Sequence, residues 1–115
     1  MDIMELDITS TIEGDQHIIH VKGEIDLYSS TMLRDYIFTT IAQQPRILIV
    51  NLNAVRYIDS SGIATMVEAL QLANKSKTQF KVAGLAKNVL EVFELLKLEK
   101  VFTIYDSLDE ALNSA

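Results

Sequence analysis

The chain has 115 residues and a formal net charge of −6 at pH 7, with 49% hydrophobic and 23% charged residues. This length predicts a single domain over residues 1–115, and the composition is that of a globular protein. The absence of cysteine excludes disulfides, zinc–thiolate sites and cysteine nucleophiles. Lysine and arginine form no basic stripe, so no nucleic acid partner is expected. No signal peptide and no apolar run of about 20 residues is found, which predicts a cytoplasmic protein without a membrane span.

The first elements are two strands. Apolar and polar residues alternate over 3–12, which predicts a half-buried edge strand with Leu6, Ile8 and Ile12 on its inner face. A second strand over about 17–23 completes a hairpin.

The two histidines, His17 and His20, lie in this second strand. An odd separation of three residues sends their side chains to opposite faces, so they cannot easily bind one metal ion together. We assign them no chemistry and predict no metal site.

Helices and strands then alternate to the end of the chain. Ser29, Ser30 and Thr31 offer N-cap hydroxyls for a first helix, which Pro45 closes. The predicted elements that follow are a buried strand over 46–52, a helix over about 61–74, a short strand with Phe80 and Val82 inward, a helix over 87–96 with Val89, Phe93 and Leu96 on one face, a strand over 101–105, and a helix over 108–113 with a capping box of Ser107 and Glu110.

This order predicts an α/β fold with a mostly parallel sheet, opened by a β-hairpin and packed by about four helices. If successive strands are neighbours, two loops meet at one edge of the sheet. One loop carries Asp26 and Ser29, and the other carries Asp59 and Ser60. Ligands and partners usually bind at the carboxyl ends of parallel strands.

The segment Asp59-Ser60-Ser61-Gly62 has three interpretations. The plainest is helix capping, with Asp or Ser at the N-cap and Gly62 permitting a tight turn. The second is a serine that another protein phosphorylates, since a helix N-terminus tolerates the added negative charge. The third, a serine nucleophile, lacks a well-placed histidine base and the sequence patterns of hydrolases and nucleotide-binding loops. We therefore predict that the protein is not an enzyme.

Two segments resemble the STAS domain family, and within it the bacterial anti-sigma factor antagonists. One is Gly23-Glu24-Ile25-Asp26-Leu27, followed by Ser29 and Leu33. The other is Val50-Asn51-Leu52, followed by Tyr57-Ile58-Asp59-Ser60-Ser61-Gly62-Ile63. The element order fits this family from Met4 to Leu112. The chain departs from it at Tyr28, which is larger than usual, and at Ala64, where glycine is common.

The resemblance implies a function. Such proteins bind an anti-sigma factor that is also a serine kinase, which frees the sigma factor for transcription. The kinase then phosphorylates the serine that corresponds to Ser60, the complex dissociates, and a PP2C-type phosphatase restores binding. ATP belongs to the kinase, so no cofactor is expected in this chain. The expected partner-binding residues are Asp26, Ser29, Asp59, Ser61, Gly62 and Ile63.

A second class of function remains open within the same family. A scaffold or transport-associated STAS module would dock onto a larger assembly, such as a stressosome-like complex or an ABC permease for lipids. In that case Ser60 serves mainly as a helix cap.

Overall fold

The computed structural model describes residues 6–114, so residues 3–5 of the predicted first strand lie outside the described residues. The order of elements is the predicted one. The strands and helices are β1 (Asp7–Glu13), β2 (Gln16–Ile25), α1 (Ser30–Ala42), β3 (Ile47–Ile58), α2 (Ser60–Lys75), β4 (Gln79–Ala83), α3 (Lys87–Leu95), β5 (Thr103–Tyr105) and α4 (Leu108–Asn113), with a 3-10 turn at Leu98–Lys100.

The five strands form one sheet in the order β1-β2-β3-β4-β5. The β1–β2 pair is antiparallel and the other three pairs are parallel. Helices α1, α2 and α3 cover one face of the sheet, and α4 covers part of the other. Each strand is thus next to its successor, which confirms the predicted α/β fold.

The run Ile47–Val50 in β3 is buried on both faces, as expected of a central strand rich in β-branched residues. Leu48 and Val50 pack with the helical layer of α1–α3. Ile47 and Ile49 face the opposite way and pack with α4. This strand anchors both apolar layers of the molecule.

Strand β3 extends to Ile58, whereas its sequence predicted an end at residue 52. Its second half contains the exposed residues Asn53, Arg56 and Tyr57 and has no continuous apolar run that would predict a strand. It remains a strand because it pairs with β2 as far as Ile25 opposite Ile58. Asp59 is therefore the single residue between β3 and α2, and it forms the short second loop of the predicted pair.

Two predicted apolar contacts are wrong. Ile12 is 63% exposed because no helix of the described chain covers its end of β1. Leu96 is 52% exposed, since α3 ends one residue earlier and the backbone turns away at Lys97, which has φ 60°. Smaller differences are that α2 begins at Ser60 and β5 begins at Thr103.

Candidate functional site

Asp59 caps α2. Its carboxylate oxygen Oδ1 accepts hydrogen bonds from the backbone N–H groups of Ser61 (2.9 Å) and Gly62 (3.2 Å). The same oxygen accepts the hydroxyl of Ser61 at 2.5 Å. These bonds satisfy donors that a helix start leaves free, and they confirm that Asp59 is the N-cap.

Asp26 organises the neighbouring loop between β2 and α1. Its Oδ1 accepts the N–H groups of Tyr28 and Ser29, both at 2.9 Å. The Ser29 hydroxyl accepts the N–H of Asp26 (2.9 Å) and donates to the Glu24 carbonyl (2.8 Å). Ser29 stands at the N-cap position of α1, but its hydroxyl makes no cap bond, so the predicted hydroxyl cap is wrong. The Ser29 side chain instead bonds the loop to the backbone of β2 at Glu24.

The two loops are held together at the carboxyl edge of the sheet. The N–H of Asp59 donates to the carbonyl of Ile25 at 3.0 Å, which continues the pairing of β2 and β3 beyond their ends. Gly23, in the first motif, has φ 122° beside a shift in the β2–β3 register. Glycine adopts that backbone conformation easily. Register shifts of this kind change the direction in which a strand ends. The predicted meeting of the two loops is confirmed.

Both loop carboxylates are stabilised in their charged form. The N–H of Ser29 is the main cause of the lowered pKa of Asp26, with the N–H of Tyr28 and the Ser29 hydroxyl adding to it. Burial raises the pKa of Asp59, but hydrogen bonds from Ser61 and Gly62 outweigh burial and the nearby Asp26 charge, so the pKa is lowered overall. The edge of the sheet around α2 is therefore acidic at neutral pH.

The two serines of the central motif differ in their surroundings. Ser60 is exposed at the first position of α2, and within residues 6–114 its hydroxyl makes no hydrogen bond to a protein group. Ser61 is half-buried and its hydroxyl is bonded to Asp59. A second protein can approach the Ser60 hydroxyl, whereas the Ser61 hydroxyl must first leave Asp59.

Gly62 and Ile63 lie under the site rather than on its surface. Gly62 is buried, and Ile63 is 7% exposed and packs in the core below α1–α3. Their predicted role in partner binding stays a prediction, and in this structure they support the first turn of α2.

Large apolar side chains stand exposed beside both motifs, and the sequence alone did not predict the exposure of Leu27 and Tyr57. Leu27 is 67% exposed, Tyr28 87% and Tyr57 48%. Leu27 and Tyr28 follow Asp26, and Tyr57 lies two residues before Asp59. The available signal was a large apolar residue next to a polar motif at a strand end, a combination that the packing of the core does not require.

Two absences concern residues 6–114. No three His, Asp or Glu side chains converge closely enough there to hold a metal ion. No helix in that range combines the length and the apolar character needed to cross a membrane.

Known proteins share this architecture. The model of the STAS domain family matches residues 7–111. The anti-sigma-B factor antagonist of Staphylococcus aureus (strain NCTC 8325 / PS 47) is 24% identical over 106 residues, covering 92% of this chain and 98% of that protein. The anti-sigma-B factor antagonist of Bacillus subtilis (strain 168) is 28% identical over 86 residues, covering 75% of this chain and 78% of that protein.

A crystal structure of an anti-sigma factor antagonist from Mycobacterium paratuberculosis superposes with a TM-score of 0.88 at 26% identity, covering 94% of this chain and 92% of that chain. The fold and the two motif-bearing loops define a small α/β domain with a capped helix at the carboxyl edge of its sheet. The chain belongs to the STAS domain family.

Proposed function

We propose that the protein is a cytoplasmic anti-sigma factor antagonist that phosphorylation of Ser60 switches off. The observation that carries the proposal is the contrast between the two serines: the Ser60 hydroxyl is exposed and unbonded, and the Ser61 hydroxyl is held by Asp59. The names of the relatives from Staphylococcus aureus and Bacillus subtilis support the anti-sigma factor as the partner.

The exposed apolar residues Leu27, Tyr28 and Tyr57 supply contact area for that partner. Aromatic side chains are enriched in binding hot spots because they bury a large area and lose little conformational entropy. An anti-sigma factor that covers these residues also covers Ser60, and its binding frees the sigma factor.

Phosphorylation then reverses the binding by electrostatics. A phosphate adds about −1.5 to −2 charges at pH 7. The N-terminus of α2 accommodates this charge, so the fold persists. The bound partner instead meets a phosphate beside Asp26 and Asp59, whose lowered pKa values keep them charged. The partner's own kinase activity supplies the phosphate from ATP, and a PP2C-type phosphatase removes it, so the chain itself performs no catalysis and needs no cofactor.

Phosphosite mapping tests the proposal. The protein is incubated with ATP and the anti-sigma factor kinases of its source organism, and the modified residue is located by mass spectrometry. We expect phosphate on Ser60, its loss in Ser60→Ala, and its retention in the matched control Ser61→Ala. Phosphate on Ser61 alone, or on neither serine, contradicts the assignment.

The variant Ser60→Asp tests the electrostatic step separately. We expect its free energy of unfolding to change little, because a carboxylate in the first turn suits the helix dipole. We expect its affinity for the anti-sigma factor to fall by about tenfold or more, as like charges at an interface predict. Unchanged binding contradicts the charge mechanism, and loss of folding indicates a structural role for Ser60.

A further inference from the structure

A groove of 820 Å³ runs along the side of α1 that faces away from α2. Ile12 of β1 and Ile19 of β2 line its floor, and Met32 and Tyr36 line its wall. The Tyr36 hydroxyl donates to Ser10 Oγ at 3.0 Å, which ties α1 to β1 across the floor. The groove is therefore a built feature between a helix and a hairpin.

Its shape matches a missing helix of the layer formed by α1, α2 and α3. That layer stops at α1, which reaches the middle of β1 through Tyr36, so the Ile12 end of β1 has no helix of the described chain above it. The wall repeats every four residues of α1, at Thr31, Asp35 and Thr39, and continues to Gln43 just after the helix. This i, i+4 ridge is the surface against which a second helix packs. With 13 residues, α1 offers a wall of about 20 Å.

The groove exposes apolar surface that the fold itself does not need. Ile12 is 63% exposed and Met32 is 44% exposed. Tyr28, which is 87% exposed and lies between β2 and α1, also lines the groove. Apolar side chains that line up along one groove mark a binding surface more strongly than scattered ones do.

The charge of the groove indicates which kind of partner can bind in it. Asp35 is the only carboxylate among the described lining residues, which include no lysine or arginine. Arg34, the neighbouring cation, turns to the other side of α1, where it pairs with Glu68 at 3.3 Å and lies over the Phe38 ring. An occupant with lysine or arginine beside its apolar face complements this surface.

A second copy of the chain fits poorly. None of the helices α1–α4 carries a net positive charge. Two copies joined through α1 would bring together two chains that each carry a net charge of −6.

We propose that this groove is a docking site for a basic amphipathic helix of a partner protein, held by Ile12, Met32 and Tyr36 and steered by Asp35. It shares Tyr28 with the surface around Ser60, but it rests on different observations and does not depend on the function proposed for that surface. The binding mode is a helix in a groove, with anchors at i, i+3, i+4 and i+7 on the incoming helix.

A synthetic peptide of about five helical turns, with leucines on one face and lysines on the other, serves as the probe. We expect saturable shifts of amide signals in the isotope-labelled full chain, confined to the outer side of α1 and to β1. A scrambled peptide of equal composition and a peptide with glutamate in place of lysine are the controls, and we expect both to bind at least about tenfold more weakly.

Variants locate the site. Met32→Asp should weaken binding by about tenfold or more, and Asp35→Asn by about two- to fivefold, as loss of one exposed ion pair predicts. Leu95→Asp is the matched control, because Leu95 is 81% exposed at the far end of α3. Its affinity should not change. Circular dichroism verifies that each variant is folded.

Several results overturn the proposal. They are the absence of saturable binding, equal binding of the scrambled peptide, signal shifts centred on Leu95 instead of α1, or unchanged affinity in folded Met32→Asp. A dimer in analytical ultracentrifugation that Ile12→Asp dissociates would assign the groove to a second copy and overturn the choice of partner.

Discussion

Gly62 shows how one residue supports the site from below. Its motif suggested a tight turn, but Gly62 lies inside α2 and its φ is not positive. A Cβ atom at this position would lie 2.6 Å from Ile25 Cγ2 and 2.6 Å from Ile58 Cγ1. The prediction of a turn is therefore wrong. Glycine is required because the first turn of α2 approaches the ends of β2 and β3 closely.

The variant Gly62→Ala should lower the free energy of unfolding by about 1–3 kcal/mol, the range for overpacking a core. The better helix propensity of alanine, about 1 kcal/mol, offsets only part of this. Urea unfolding measures the change. Gln71→Ala, at an exposed position of the same helix, should change the stability by less than about 0.5 kcal/mol. A higher free energy of unfolding in Gly62→Ala would show that Ile25 and Ile58 can shift to accommodate the added methyl group.

At the scale of elements, α4 depends on side chains of the sheet. A helix of six residues is not stable alone. The ammonium group of Lys81, in β4, is fully buried and donates to the carbonyl oxygens of Ala111 (2.8 Å) and Ser114 (3.1 Å) and to Ser114 Oγ (2.8 Å). Gln16 of β2 donates to the carbonyl of Leu112 at 3.1 Å. Lys81 thus places a positive charge at the C-terminus of α4, where the helix dipole favours it.

We expect Lys81→Met to loosen α4. The change removes the donors and leaves carbonyl groups without partners, which costs about 1–3 kcal/mol. Hydrogen exchange should become faster at the amides of α4 and stay unchanged in α2. The control is Lys87→Met, at an exposed position. Unchanged protection of α4 would mean that the apolar contacts of Leu108 and Leu112 hold the helix without Lys81.

At the scale of the whole molecule, three carboxylates couple stability to pH. The pKa of Asp15 is lowered mainly by its hydrogen bond with Arg46, and those of Asp26 and Asp59 are lowered within the site. A group whose pKa is lower in the folded state binds protons more readily when unfolded. Its stabilising effect is therefore complete above the ordinary aspartate pKa of 3.8 and is lost as the pH falls through the lower pKa of the folded state.

We expect the urea midpoint to be nearly constant above about pH 5 and to fall steadily below about pH 4. The double variant Asp26→Asn, Asp59→Asn should be less stable at neutral pH and should show a shallower fall in acid. Asparagine can still cap both loops, so folding should be retained. An equally steep fall in the double variant would assign the acid sensitivity to other groups.

The amino-acid sequence alone determined the order of the elements and the two loops of the site. Local features carry this information: alternation in β1, the apolar run Ile47–Val50, the cap at Asp59 and the Ser107 hydroxyl that accepts the N–H of Glu110 at 3.1 Å. Each of these features depends on residues close together in the sequence, whose spacing and side-chain chemistry determine the local structure.

Only the tertiary structure decided the end of β3 at Ile58, the exposure of Ile12, the burial of Lys81 and the close contact that requires Gly62. It also distinguished the hydroxyl of Ser60 from that of Ser61 by their hydrogen bonds. Pairing and burial depend on neighbours remote in sequence. Lys81 alternates with Phe80 and Val82 like an outward residue, yet α4 covers it from 30 positions further along the chain.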